Sequence, residues 1–260
     1  MTEDDPLDLA AKVRNSLRKS GYPLELRVAA VLEKANPKYS HHSRYFVDPR
    51  TEKVREIDVV ACWQVRNSFA YLVAECKSKP APWVVFSSSL VSDCPELLQL
   101  LYTWEFYDEP RLQAVVEAPD FRADSTFLQA VQVGTSIVEV KFGKEKDSDP
   151  YRNDSAYDAV RAAMSAVEGF RNDVDEEAMR GLESVSVIAL PVAVTSGSLF
   201  RGWLDDDGDI AIEETDLAFV TVRLGMETIP KLCAVTTEKG LPRLAAQARC
   251  TAQALSRKPL

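Results

Sequence analysis

Five charged residues in this chain stand where apolar ones are expected. The stretch "VREIDVVACWQVRNSFAYLVAECKSK", residues 54–79, reads as two apolar strands joined by a short polar connector, yet it carries Glu56, Asp58, Glu75 and Lys77. Side chains alternate faces along a strand, so Glu56 and Asp58 share one side of the first, and Glu75 and Lys77 one side of the second. Neighbouring strands lie about 4.8 Å apart, so all four groups meet in one patch if the two faces coincide. Val59, Val60, Leu72, Val73 and Ala74 around them predict burial, and a buried carboxylate left alone loses much of its hydration energy. One lysine cannot neutralise three acids, whereas a hard divalent cation with carboxylate ligands can. Glu25, on a helix that opens at Pro23, stands one turn before Ala29 and two before Leu32. That spacing turns it toward the core side and makes it a fourth acid for the same patch.

The elements that must position these groups follow from pattern. Leu9, Val13 and Leu17 in "LDLAAKVRNSLRK" form the stripe of an amphipathic helix. After Gly21, Pro23 opens "PLELRVAAVLEKAN", whose Leu24, Val28, Val31 and Leu32 make an apolar face that ends at Asn36-Pro37. Three strand-like runs follow, "KYSHHSRYFVD", "KVREIDVVACWQ" and "FAYLVAECKS", separated by "PRTE" and "VRNS", connectors of hairpin length. They predict a helix followed by a three-stranded meander. Pro80 and Pro82 stop the third strand; "CPELLQLLYTWEFY" is expected to be helical and "LQAVQVGTSIVEVKF" to contain a strand. "SAYDAVRAAMSAVEGF" is a helix with Tyr157, Val160, Met164, Val167 and Phe170 on one side. "SVSVIALPVAV" is apolar enough for a strand buried on both faces. "FRGWLDDDGDIAIEE" reads as a hairpin, "LAFVTVRL" as a strand and "GLPRLAAQARCTAQALSRK" as a C-terminal helix. The expected fold is α/β, a mixed central sheet flanked by helices, with additional helices and a hairpin. Residues 1–260 are read as a single domain, with a helix in 1–20 and a helix in 230–260 appended to it.

Bulk composition bounds the partners. A chain of 260 residues, 46% hydrophobic and 27% charged, can bury a sizeable core without disulfides. Its five cysteines show no CxxC pair or metal-finger spacing, a pattern suited to a reducing cytoplasm. No run of 18 apolar residues occurs, so no membrane-spanning helix is expected. The net charge of -9 argues against a surface that is basic throughout, while leaving room for local basic patches and for a carboxylate-rich metal site.

Asp58 followed seventeen positions later by Glu75-Cys76-Lys77, on neighbouring strands after a helix that bears Glu25, resembles the PD-(D/E)xK phosphodiesterase superfamily, the restriction-endonuclease-like nucleases. The resemblance is close over about residues 20–80 and loose over the later helix and "SVSVIALPVAV". The chain departs from the motif at Ile57, where the name expects proline. The resemblance implies a restriction-endonuclease-like core in which Asp58 and Glu75 bind metal, Glu25 matches the helix acid and Lys77 is the catalytic lysine. Glu56 has no fixed counterpart and is an accessory candidate. It further implies Mg²⁺, or Mn²⁺, as cofactor and a phosphodiester in nucleic acid, DNA first, as substrate, with a role as a prokaryotic defence or restriction effector. In that chemistry the cation withdraws charge from the phosphate and lowers the pKa of a bound water. Lys77 orients or helps deprotonate the water and stabilises charge at phosphorus. The acidic total implies help from a second copy in a homodimer or from a partner subunit.

Other residues carry two readings each. Lys79, Arg55, Arg44 and Lys53 flank the patch and could meet phosphates or simply face water. Trp83 and Phe86 in "PWVVF" could stack on a base or pack in a core. His41 and His42, the only histidines, are adjacent on a strand and so point to opposite faces. "DDDGD", residues 205–209, lacks the spacing of a calcium loop and is a hairpin turn. Cys76 falls on the opposite face from Glu75 and Lys77 and packs as a small hydrophobe. Two other functions compete: a catalytically silent module of the same fold that binds nucleic acid or protein, and a metal-dependent hydrolase of another phosphate ester. No Gly-rich phosphate loop supports the P-loop route.

Overall fold

The computed structural model describes residues 6–87, 100–106, 126–127, 133–142, 154–173, 185–224 and 229–257. Helices α1 (Pro6–Lys19) and α2 (Tyr22–Lys34) lead into the meander β1 (Tyr39–Val47), β2 (Val54–Val65) and β3 (Ser68–Lys77), as the pattern predicts. Then come β4 (Trp83–Ser87), β5 (Tyr102–Phe106), β6 (Val133–Glu139) and helix α3 (Ser155–Asp173). The chain continues through β7 (Val185–Thr195), the hairpin β8 (Leu199–Leu204) and β9 (Ile210–Thr215), β10 (Leu217–Val222), β11 (Lys231–Thr237) and helix α4 (Leu241–Leu255).

The described strands form one mixed sheet in the order β1-β2-β3-β7-β11-β10-β6-β4-β8-β9, with β5 also paired to β7. β1, β2 and β3 are antiparallel in sequence, and β7 then runs parallel to β3 over its whole length, from Ser68 beside Ser186 to Lys77 beside Thr195. Helices cover both faces. α2 and α4 pack Leu24, Val28, Leu32, Leu241, Leu244 and Ala248 against Val59, Leu72, Leu190 and Val192. α3 packs Val160, Met164, Val167 and Phe170 against Val60, Tyr71, Val73 and Val187 on the other face. Every residue of β7 is buried because it feeds both cores, which is why its sequence is continuously apolar.

Three expectations change. Tyr102–Phe106, expected in a helix, is strand β5, antiparallel to β7; residues 94–99 of that stretch lie outside the described residues. The segment 230–260 is not simply an appended helix, because Lys231–Thr237 is a strand between β7 and β10 and α4 belongs to the core. Tyr157 is 38% exposed rather than aligned with the buried face of α3. The turn at 205–209 is as expected: Gly208 takes φ 82°, a value that favours glycine, and Asp205 Oδ1 accepts the N–H groups of Asp207 and Asp209 at 3.1 and 2.9 Å.

Candidate functional site

The meander is not regular, and its one irregularity makes the site. β1 and β2 pair with constant register from Tyr39 beside Cys62 to Val47 beside Val54, except that Ser43 and Asp58 drop out. Ser43 has φ 57°, a left-handed conformation. Alternation resets there. Val60 and Cys62 face α3, and so does Ile57, which strict alternation would place on the other side with Val59. Pairing of β2 with β3 also stops at Val59 beside Ala74, one step short of Asp58 and Glu75. Asp58 therefore lies in the opening between two separating strands. Its Oδ2 accepts the Cys76 N–H at 2.6 Å, a side chain taking a partner that the ladder no longer supplies.

Around that opening the expected groups collect. Glu75 and Lys77 share the α3 side of β3, and Lys77 Nζ donates to Glu75 Oε1 at 2.5 Å. Glu25, half-buried near the start of α2, comes close enough for its charge to act on Asp58. Glu56 is exposed, and its charge acts on Glu25, one of the acids that act on Asp58. Cys76 points away into the α2 and α4 core, as expected.

The electrostatics are those of crowded acids. Burial, then the charge of Glu75, pushes the Asp58 carboxyl up to about 7, with Glu25 adding to the rise and the Cys76 N–H opposing it. Burial, then Glu56 and Glu75, raises Glu25 as well. Burial pulls the Lys77 ammonium down, but Glu75 beside it more than offsets this, so Lys77 is held above its ordinary value.

In chemical type this donor set fits a hard divalent cation, since Asp58, Glu75 and Glu25 offer carboxylate oxygens, and burial together with mutual repulsion raises Asp58 and Glu25. Among the described residues no three ligating side chains enclose a point together. Asp58 is turned to the Cys76 N–H and Glu75 to Lys77.

The α3 side of Glu75 and Lys77 opens into a cleft of about 360 Å³. Its helix wall is Asp158, Arg161, Ala162 and Ser165, and its other wall is the β1–β2 connection with Asp48, Arg50 and Thr51, continued by Arg55 at the start of β2. Arg55 is thus placed at the site, joined to buried Asp48 at 2.7 Å. Lys79 is exposed just past the end of β3. Trp83 is not at the surface: it is 0% exposed and packed in the α3 core, so it cannot stack on a substrate. Arg161 and Asp158 were not legible from sequence as site residues, because nothing in an amphipathic helix marks which polar positions border a cleft. No helix among the described residues is long and apolar enough to cross a membrane. Comparison with protein-family models, with curated proteins and with solved structures finds no match to this chain.

Proposed function

We propose that this chain is a divalent-metal-dependent nuclease that hydrolyses phosphodiester bonds in DNA. The observation that carries the reading is the meeting of Asp58, Glu75 and Glu25 where β2 and β3 separate, with the Lys77 ammonium against Glu75. A protein that needed only a stable sheet has no reason to bury Asp58 beside Glu75 and Glu25, where burial first and their charges second push its carboxyl up. The order α2, β1–β3, α3, β7 about a mixed sheet supports a restriction-endonuclease-like core.

Asp58 and Glu75, with Glu25 beside them, would hold Mg²⁺ or Mn²⁺, and a cation so bound supplies charge withdrawal from the phosphate and a more acidic water. The protein's own groups do the rest. Lys77 is held protonated by Glu75, so its part is to orient the attacking water and to stabilise the anionic phosphate rather than to remove a proton. The Cys76 N–H fixes the Asp58 carboxylate in orientation. The core behind Asp58, built from Val59, Ala74 and Cys76, excludes water from one side of the site.

The test is cleavage of plasmid, linear duplex, single-stranded DNA and RNA with Mg²⁺ or Mn²⁺, wild type against Asp58→Asn and Lys77→Ala. Cutting by wild type alone is the expected result. Wild-type-like cutting by either variant overturns the assignment. The internal satisfaction of Asp58 by Cys76 and of Glu75 by Lys77 favours a second reading, a non-catalytic binding module; absence of both cutting and cation binding would establish it.

A further inference from the structure

The cleft beside Glu75 and Lys77 is built too firmly to be an accident of packing. Its two walls are tied together by Arg50, a lining residue whose Nε and Nη2 meet the two carboxylate oxygens of Glu168 on α3 at 3.1 and 2.9 Å, a two-pronged contact of fixed geometry. Next to it Gly169 lets α3 sit directly on the Phe46 ring, where no Cβ would fit. The hairpin wall is braced from inside: Asp48, 2% exposed, accepts the Arg50 N–H at 2.9 Å and holds the Arg55 guanidinium at 2.7 Å. The walls so braced present Arg55 from β2 and Arg161 from α3 over a floor of Glu75 and Lys77.

We propose that this cleft receives one strand of single-stranded DNA, with Arg55 and Arg161 gripping the phosphates on either side of the bond brought to Glu75 and Lys77. The proposal rests on the nuclease reading for what happens at the floor, but not for the binding itself. Two observations select a single strand. A space of about 360 Å³ is the size of a nucleotide-scale ligand, which suits a strand without its partner better than a duplex. Beside the cleft, on the same helix, α3 also offers an aromatic face: Tyr157 is 38% exposed, and the guanidinium of the wall residue Arg161 lies over its ring at 5.7 Å. An exposed ring beside a cation suits an unpaired base next to its phosphate. Asp158, the one carboxylate on the helix wall, disfavours a second phosphate at that point and limits how far the strand runs along α3.

The test is fluorescence-anisotropy binding of a labelled single-stranded oligonucleotide and of the blunt duplex of the same sequence, with Ca²⁺ as the cation and across a salt series. Wild type is expected to prefer the single strand by about tenfold. Arg161→Ala is expected to weaken single-strand binding by about three- to tenfold and to lower the log-log salt slope by about 0.7, the loss of one phosphate contact. Arg161→Lys recovers part of the affinity. Arg55→Gln acts in the same direction, and Arg161 carries the test if loss of the Asp48 partner unfolds that variant. Arg243→Ala, on the exposed face of α4, leaves binding unchanged. Equal or tighter binding of the duplex, or indifference to Arg161→Ala, overturns the proposal. Binding as expected without Mg²⁺-dependent cleavage leaves the cleft assignment standing and removes the nuclease reading; cleavage with binding indifferent to Arg161 does the reverse.

Discussion

Asp58 is a half-buried carboxylate crowded by other acids. Its carboxyl is raised from 3.8 to about 7, so between those values the folded protein binds a proton that the unfolded chain has released. Stability is then greatest below about pH 4 as far as this group is concerned, and it is lost as pH rises through 7. Asp58→Asn keeps an oxygen to accept the Cys76 N–H and removes the titration. In metal-free buffer the variant should be more stable than wild type at pH 8, on the order of 2 kcal/mol after solvent screening, with little difference at pH 4. Urea unfolding at the two pH values measures this, and equal midpoints at pH 8 would refute it. Lys77 makes the opposite prediction. Removing its charge leaves the carboxylates intact, so Lys77→Ala should bind Mn²⁺ at least as tightly as wild type by calorimetry while cleaving about 10²- to 10³-fold more slowly. Parallel loss of Mn²⁺ binding would make Lys77 structural. These residue types were readable from sequence because charges inside apolar strands are conspicuous. The reset at Ser43 was not readable, since a serine in a left-handed conformation leaves no pattern, and it is this reset that puts Arg55, rather than Glu56, in the cleft.

At the level of elements, the fit of α3 on the meander decides whether the cleft exists. Gly169 lies mid-helix, where alanine is ordinarily better by about 1 kcal/mol. Here a Cβ would strike the ring of Phe46, which is 4% exposed and has little room to move. Overpacking of a core typically costs about 1–3 kcal/mol, so the clash outweighs propensity and Gly169→Ala should destabilise the protein. Thermal melts check the sign, and Phe46→Leu in the same chain should recover part of the loss by shortening the obstructing side chain. Local patterns disclosed α2, the meander, α3, β7 and the β8–β9 hairpin because each has a period or a turn signal of its own. β5 escaped because a leucine-rich approach to "LYTWEFY" suits a helix equally well until β7 is there to pair with it. Trp83 stood open between base stacking and core packing for a related reason: a tryptophan after a proline turn suits either until β6 and β8 are known to flank its strand.

For the molecule as a whole, the sheet separates two tasks. Strands β3, β7 and β11 supply a rigid core buried on both faces, and the site sits at the far end of β3, where β2 diverges from it. The acids there raise the cost of folding only when they are ionised and uncompensated, so cation binding and pH must be linked. A cation binding only the folded chain stabilises it by RT ln(1 + [M]/Kd), about 1.4 kcal/mol for each tenfold excess over Kd. Protonation of Asp58 competes with the cation, so the stabilisation should be small at pH 5, where Asp58 is protonated, and large at pH 8, where it is ionised. Melting temperatures with and without millimolar Mn²⁺ at both pH values test this directly, with Asp58→Asn losing most of the effect at pH 8. Ca²⁺ should reproduce part of the shift, because the ligands are carboxylate oxygens, which it also takes. A Mn²⁺ shift of equal size at pH 5 and pH 8, or one retained in Asp58→Asn, would place the cation elsewhere and leave the crowded carboxylates without the partner that their charge demands.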